Sequence, residues 1–405
     1  GPAGSPNGVK FYNLDNEPDL WSNGNKGATH PEVHPAKPTC LEIKNKGVTM
    51  SYVVKNIDPN AQMLGPVSYG FAGYLNFQGA SDWDTVKGTR PWFISYYLDE
   101  MRSTSNYVER RLLDALDVHW YPEAQDNAGH RILDNISTPE MYNARMQAPR
   151  TLWDTGYISP NETYPDGEVS WINKWYFAQY LPLIPRLKAD IAQYYPDTNL
   201  AITEYAYGPD GDSQHWSTGI ATADVLGIFG KYGVYIATYW GGGNYVDAAF
   251  KIYRNYNGNH STFGDVNVVA SMSDKVNSSI YASEFNGHTC EMHLIVINKS
   301  QVSSITGTFN ITSSQNFNSG RVWKFDNASP TISETTAVGT ITNNSFTYTI
   351  PATTVCHIVL QADPPYWDSD GDCHVNNIDL GAFAINWLDP YDAVAFASFA
   401  KQWGM

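Results

Sequence analysis

The stretch Val9-Lys10-Phe11-Tyr12-Asn13-Leu14-Asp15-Asn16-Glu17-Pro18 reads as a short strand that runs into a glutamate and stops at a proline. Pro18 has no backbone N–H to give a sheet ladder, so it ends the strand and leaves Glu17 at the carboxyl end. Farther along, Asn199-Leu200-Ala201-Ile202-Thr203-Glu204-Tyr205 repeats the design. Outward from these two runs, strand-like segments Gln62–Gly65, Leu116–Trp120 and Val234–Tyr239 alternate with apolar residues at helical spacing over Cys40–Ile57, Trp92–Leu116, Trp171–Tyr195 and Thr218–Tyr232. Pro182 and Pro185 kink or restart the third of these helices. Such alternation predicts parallel β/α units. A closed (β/α)8 TIM barrel needs eight strands. Five are found, so the expectation is an α/β fold: a barrel lacking its N-terminal strands, the C-terminal part of a longer protein.

From about Phe263 to Leu360 the texture changes. The runs Glu291–Ile297, Gly307–Ile311, Arg321–Phe325, Ser345–Ile350 and Cys356–Leu360 alternate polar and apolar residues between Asn, Ser and Gly turns, as in an antiparallel β-sandwich. The expected organisation is a partial barrel over 1–258, a sandwich over 259–362, a Pro-stiffened linker over 363–367 and a short helical segment over 368–405.

Two glutamates past the ends of parallel strands sit where barrel chemistry occurs. A facing carboxylate pair is the equipment of glycoside hydrolysis, one member protonating the leaving oxygen and the other attacking or activating water. Glu17 is the candidate acid/base and Glu204 the candidate nucleophile. Asn16 stands beside Glu17 to meet a sugar hydroxyl, and Tyr205 and Tyr207 stand beside Glu204. His119, Trp120, Tyr121 and Glu123 end the Leu116 strand and form a candidate substrate wall. Trp240, followed by glycines that permit close approach, is a candidate sugar platform. Tyr69 follows the Gln62 strand in the same manner, and Trp21 and Trp153 are weaker candidates. Asn127–Thr138 is a polar loop of the kind that caps a barrel.

The formal net charge is −16, which argues against a nucleic-acid partner. The chain holds 13 Trp and 27 Tyr, amphipathic rings that suit sugar faces, although most must serve packing. No run is long and apolar enough to cross a membrane as a helix. The four cysteines, Cys40, Cys290, Cys356 and Cys373, fit no zinc spacing. Cys290 and Cys356 share a β-rich region and are candidates for pairing.

Near the C-terminus, Asp368, Asp370, Asp372, Asn376 and Asp379 occupy positions 1, 3, 5, 9 and 12 of an EF-hand-type calcium loop, with the His374 carbonyl at position 7. Position 6 is Cys373 where glycine is usual, and position 12 is aspartate where glutamate is usual. Both departures predict a weakened site.

Several long stretches carry a resemblance: Phe11–Pro18, residues 29–35, Leu116–Ala124, Gln147–Asp154, Leu200–Tyr205 and Ala223–Tyr235. Residues 9–362 resemble glycoside hydrolase family 44, whose members cleave β-1,4-glucans and xyloglucan. The resemblance implies a barrel with a β-sandwich, and retaining hydrolysis with Glu17 as acid/base and Glu204 as nucleophile. The family's first three barrel strands and an N-terminal piece of its sandwich have no counterpart here. Residues 368–403 resemble a dockerin with one intact loop, since Asp389–Asp392 is too short for a second. That implies calcium and a cohesin-type scaffold partner. The expectation is a secreted, extracellular endo-β-1,4-glucanase or xyloglucanase that needs no cofactor for catalysis and has neither nucleic acid nor membrane as a partner. The alternatives are a glycan-binding or scaffold-docked protein without catalysis, and a mannanase or xylanase with the same carboxylate pair.

Overall fold

A computed structural model describes residues 1–22, 31–32, 34–157, 170–209, 215–370, 373–386 and 393–403. Asp372, the segment 389–392 and part of 29–35 lie outside the described residues. The chain divides into two compact units. The first comprises Gly1–Ile136, Gln147–Gly211 and Tyr232–Gly242, and the second Ser137–Met146, Asp212–Lys231 and Gly243–Met405. The boundary expected at 258 therefore falls inside the second unit.

The first unit is a half-barrel of five strands: β1 (Phe11–Asn13), β2 (Gln62–Ser68), β3 (Ala115–Trp120), β4 (Asn199–Tyr205) and β5 (Ile236–Tyr239), hydrogen-bonded in sequence order. Every pairing is parallel. β3 is buried at every position and β2 at all but its first, as expected for parallel strands covered on both faces. Between β1 and β2 runs α1 (Cys40–Ile57). Thr39 Oγ1 accepts the Glu42 N–H there, and the Asp82 carboxylate accepts those of Cys40 and Leu41, so three first-turn donors are satisfied. Two short helices, α2 (Phe71–Asn76) and α3 (Trp83–Val86), lead into α4 (Phe93–Tyr107), which packs on α1. The helical pattern expected to run on to Leu116 thus ends earlier. Helix α5 (Pro139–Gln147) follows β3 in the chain, and all but its last residue belong to the second unit. The long pattern from Trp171 splits at Pro182 into α6 (Trp171–Tyr180) and α7 (Leu183–Tyr194).

The second unit includes nearly all of α8 (Trp216–Tyr232), all of α9 (Asn244–Arg254), and an antiparallel array. The array's strands are β6 (Val266–Val268), β7 (Ser278–Phe285), β8 (His288–Asn298), β9 (Ile305–Asn310), β10 (Phe317–Asp326), β11 (Ser329–Glu334), β12 (Ser345–Ile350) and β13 (Thr354–Ala362). Six of them form a sheet in the order β11-β10-β13-β8-β7-β6, and β12 pairs with β9 as a ribbon. Sheet and ribbon share one apolar core, including Met292, Leu294, Phe309, Val322, Phe346 and Ile358. Helices α10 (Asn377–Ile385) and α11 (Ala393–Gln402) end the chain around Val375, Phe383 and Phe399.

The disulfide joins Cys290 to Cys373, not to Cys356. Register explains the correction. Cys356 lies opposite Val296 on β8, six residues along the strand from Cys290. At about 3.4 Å per residue that is roughly 20 Å, far beyond disulfide reach.

Candidate active site

Three irregularities at the carboxyl ends of the strands build the site. In β2 the register against β3 shifts between Pro66 and Ser68, leaving Val67 as an extra residue at φ 63°. A β-branched residue rarely adopts that conformation. Here it turns the Val67 carbonyl to accept the Glu17 N–H at 3.1 Å. Glu17 is itself left-handed, at φ 46° and ψ 59°, where the chain leaves β1 for a 3-10 turn over Pro18–Leu20. In β4 the register against β3 passes from Val118↔Ile202 to His119↔Glu204, so Thr203 is the extra residue of a bulge. Bulges re-aim side chains beside active sites. The Asp117 carboxylate holds this one, accepting the Thr203 hydroxyl at 2.7 Å and the Thr203 N–H at 3.3 Å.

The result is convergence on His119. Its Nδ1 lies 2.9 Å from Glu17 Oε1 and 3.6 Å from Glu204 Oε2. One oxygen of each carboxylate and the imidazole nitrogen fall within 4.8 Å of one another. Tyr121 donates its hydroxyl to Glu204 Oε1 at 2.5 Å. A cavity of about 360 Å³ opens on this cluster, lined by Glu17, Tyr69, Tyr121, Arg131, Leu133, Glu204, Ala206, Gly208 and Trp240. Trp240 is 56% exposed and presents its indole at the rim. Tyr69 and Tyr121 stack at 6.3 Å and also line a second cavity of about 260 Å³ with Phe71, Glu123 and Trp171.

Burial raises the pKa of Glu204, opposed by the Tyr121 hydrogen bond and the His119 field. For His119, burial favours the neutral ring, but the hydrogen bond to Glu17 and the charges of Glu204 and Glu17 together hold its pKa above the ordinary value. The imidazole therefore favours carrying a proton between the two acids. Beneath them lie two further carboxyls. Burial pushes Asp19 up to about 7 and Asp117 up to about 6. Asp19 Oδ1 accepts the Tyr69 N–H at 3.0 Å, which fixes the turn after Glu17 to the end of β2.

Of the residues expected at the site, Glu17, Glu204, His119, Tyr121, Tyr69 and Trp240 are brought together, and Glu123 lines the adjoining cavity. Asn16 is exposed next to Glu17, its carbonyl accepting the Trp21 indole N–H. Two expectations are corrected. Trp120 and Tyr205 are fully buried and line neither cavity. Each follows an inward residue, so strand alternation turns it away from the cleft. Tyr207 is buried as well. Asp19, Asp117, Arg131 and Leu133 were not expected. A charge inside the apolar run Leu116-Asp117-Val118 was the available signal for Asp117; for Leu133 the sequence offers none.

In the C-terminal segment, carboxylate oxygens of Asp368, Asp370 and Asp379 lie within 4.8 Å of one another. Two ligands of one calcium at 2.3–2.6 Å can be at most about 5.2 Å apart, so these residues fit the ion. Cys373 takes the left-handed conformation, φ 70°, that glycine usually supplies at that position, and its N–H donates to Asp368 Oδ2 at 2.8 Å. The Asn376 side chain caps α10 by accepting the Ile378 N–H, and Asp379 completes the capping box. His374 contributes no side-chain ligand to the carboxylate cluster.

Parallel strands with two carboxylates facing across their carboxyl ends are the arrangement that glycoside hydrolases use. Comparison with known proteins agrees. The profile of glycoside hydrolase family 44 matches residues 1–124. Endoglucanase A of Paenibacillus lautus is 48% identical over 366 residues, covering 90% of this chain and 50% of the relative. Beta-mannanase/endoglucanase A of Caldicellulosiruptor saccharolyticus is 47% identical, over 87% of this chain and 26% of its own length. The structure of a family 44 xyloglucanase from Paenibacillus polymyxa superposes with a TM-score of 0.83 at 48% identity, covering 90% of this chain and 68% of that one. A family 44 endoglucanase from Clostridium thermocellum gives the same TM-score at 46% identity, over 89% and 68%. The chain belongs to glycoside hydrolase family 44. It spans half the length of the first curated relative and about a quarter of the second.

Proposed function

We propose that the chain carries the acid/base and the nucleophile of a retaining endo-β-1,4-glucan hydrolase of the cellulose and xyloglucan class. The observation that carries this reading is the separation of Glu17 and Glu204, whose nearest oxygens fall within 4.8 Å. Retaining enzymes hold their carboxyls about 5–5.5 Å apart, and inverting ones 6.5–9.5 Å to admit a water. In the first step Glu204 attacks the anomeric carbon while Glu17 gives its proton to the leaving oxygen. In the second, Glu17 takes a proton from water, which displaces Glu204 from the glycosyl ester. His119 faces both oxygens and offsets the negative charge that moves between them. The exposed Trp240 indole in the lining of the cavity that holds Glu17 and Glu204 supports a sugar platform there. The same pair would serve a mannan or xylan chain, so substrate choice needs a polysaccharide panel.

The test is product stereochemistry and rescue. Xyloglucan fragments should appear first as the β-anomer by proton NMR. Glu17→Ala should lower kcat by about 10²–10⁴-fold, with partial recovery on adding azide. Glu204→Ala should abolish turnover. Hydrolysis of xyloglucan at the unmodified rate by Glu204→Ala would defeat the assignment.

We further infer that the β-rich part of the second unit is a sandwich and that residues 368–403 are a dockerin-like calcium segment. The fit of Asp368, Asp370 and Asp379 to one ion supports calcium there. Exposed Ile378, Ile385, Val394 and Phe396 on α10 and α11 support a protein partner of the cohesin type. The Cys290–Cys373 disulfide supports secretion into an oxidising medium. Calorimetric titration with calcium, then with a cohesin, tests the roles of the C-terminal segment; no heat in either arm would remove those two roles.

A further inference from the structure

Residues 123–134 form a tightly tied excursion past β3. Ile132 donates its N–H to Ala124 O and Asp126 its N–H to His130 O, both at 3.0 Å, and Gln125 bridges Arg131. The Asp126 carboxylate accepts the N–H groups of Ala128 and His130 at 2.9 Å. Asp134 accepts the backbone N–H of Arg131 at 2.8 Å. The loop therefore presents Arg131 from a fixed backbone.

The Arg131 side chain reaches the cavity that holds Glu17 and Glu204, whereas its ion-pair partner Glu123, at 2.8 Å, lines the neighbouring cavity with Trp171. Tyr69 and Tyr121 line both. The pair thus stands where the two hollows adjoin, with a group that only donates on one side and a group that only accepts on the other. Glu123 engages one guanidinium nitrogen; the Arg131 Nε–H is buried and has no hydrogen-bond partner among the described residues, while the side chain as a whole stays 42% exposed. A sugar hydroxyl both donates and accepts. Two neighbouring hydroxyls can satisfy such a pair at once, and the opposite charges cancel, so the pair suits a neutral polyol.

We propose that Glu123 and Arg131 form a specificity-determining pair that reads the hydroxyls of one sugar residue of a neutral β-linked chain, next to the residue held between Glu17 and Glu204. This rests on the glycosidase reading above. A chain that spans both cavities should feel both members of the pair, and a shorter one Arg131 alone.

The experiment is the chain-length dependence of kinetics on cello-oligosaccharides. Arg131→Met should raise KM for cellohexaose on the order of tenfold, the worth of one charge-assisted hydrogen bond, with a larger change in KM than in kcat and a smaller effect on cellotriose. Arg131→Lys separates reading from stapling. Lysine keeps the charge and one bond to Glu123 but lacks the planar fork. Under the proposal it preserves the melting temperature yet loses KM as Arg131→Met does. Unmodified KM for cellohexaose in both variants, or a loss confined to variants that also melt early, would overturn it. If the unsubstituted chain neither binds nor cleaves any β-glucan, the glycosidase reading fails and this inference falls with it. Activity that the variants leave intact removes this inference alone.

Discussion

Glu204 sits between opposing influences, and the balance sets when it can act. Burial raises its pKa; the Tyr121 hydroxyl and the His119 field lower it. As the proposed nucleophile Glu204 must be ionised, so activity should fall as pH drops through its pKa. Tyr121→Phe removes a hydrogen bond to the charged form, worth about 1.5–3 kcal/mol, or roughly one to two pH units. The acidic limb of the kcat profile should move upward by that order, and an unmoved limb would show that another group controls it. Asp19 gives a separate prediction, about stability. Its carboxyl titrates near 3.8 when unfolded and at about 7 when folded. Below 3.8 both states hold the proton and the contribution is complete; between the two values only the native state does, so stability falls as pH rises, and above about 7 the loss is finished. Asp117, raised to about 6, adds slope in the lower part of that window. Asp19→Asn keeps an acceptor for the Tyr69 N–H and cannot titrate. The decline in unfolding free energy from acid to neutral pH, followed by denaturant titration, should therefore be shallower in Asp19→Asn, by on the order of 4 kcal/mol at most. An unchanged slope would mean that Asp19 ionises normally.

At the scale of strands, the site is made by two extra residues. Val67 and Thr203 each break a ladder at the rim, and each break places a catalytic candidate: the freed Val67 carbonyl holds Glu17, and the Thr203 bulge aligns Glu204 with His119. Asp117→Ala releases the Thr203 hydroxyl and N–H together. It should lower kcat by up to about 10²-fold, as a displacement of about 1 Å can, while KM stays near its original value. Equal losses in Thr203→Val would assign the effect to the bulge; a rise in KM alone would refute it. The sequence made some of this legible. Apolar runs that end in Glu-Pro and Glu-Tyr marked both strand ends, and alternation marked β3 as a strand. Bulges leave no compositional trace, because one more residue in a β-like run changes neither polarity nor propensity. Reading His119, Trp120 and Tyr121 as one wall ignored the two-residue period, which sends His119 and Tyr121 to the cleft and Trp120 to the core. Arg131 was hidden in a polar loop, where a lone arginine is ordinarily solvated. The helical pattern after Trp92 overran because the apolar residues before Ala115 belong to the approach to β3.

For the molecule as a whole, the least legible feature is the link between Cys290 and Cys373, which are 83 residues apart. It ties the segment after residues 363–367 back to β8 within the second unit. Gln315 strengthens this clasp, its side-chain amide donating to Cys373 O at 3.2 Å and to Thr289 Oγ1 at 3.0 Å. Cys373 also packs into the core shared by sheet and ribbon. A cross-link closing so long a loop stabilises by about 2–5 kcal/mol, chiefly by restricting the unfolded chain. Cys373→Ser should therefore lower the melting transition of the second unit and open residues 363–403 to proteolysis, with the first unit's transition unmoved. Dithiothreitol should do the same to the unmodified chain and nothing further to Cys373→Ser. Because Cys373 occupies the sixth position of the proposed calcium loop, the two arms also test each other. If the ion alone orders the segment, calcium will restore protease resistance to Cys373→Ser in full; if the clasp positions Asp368, resistance will return only when the disulfide does.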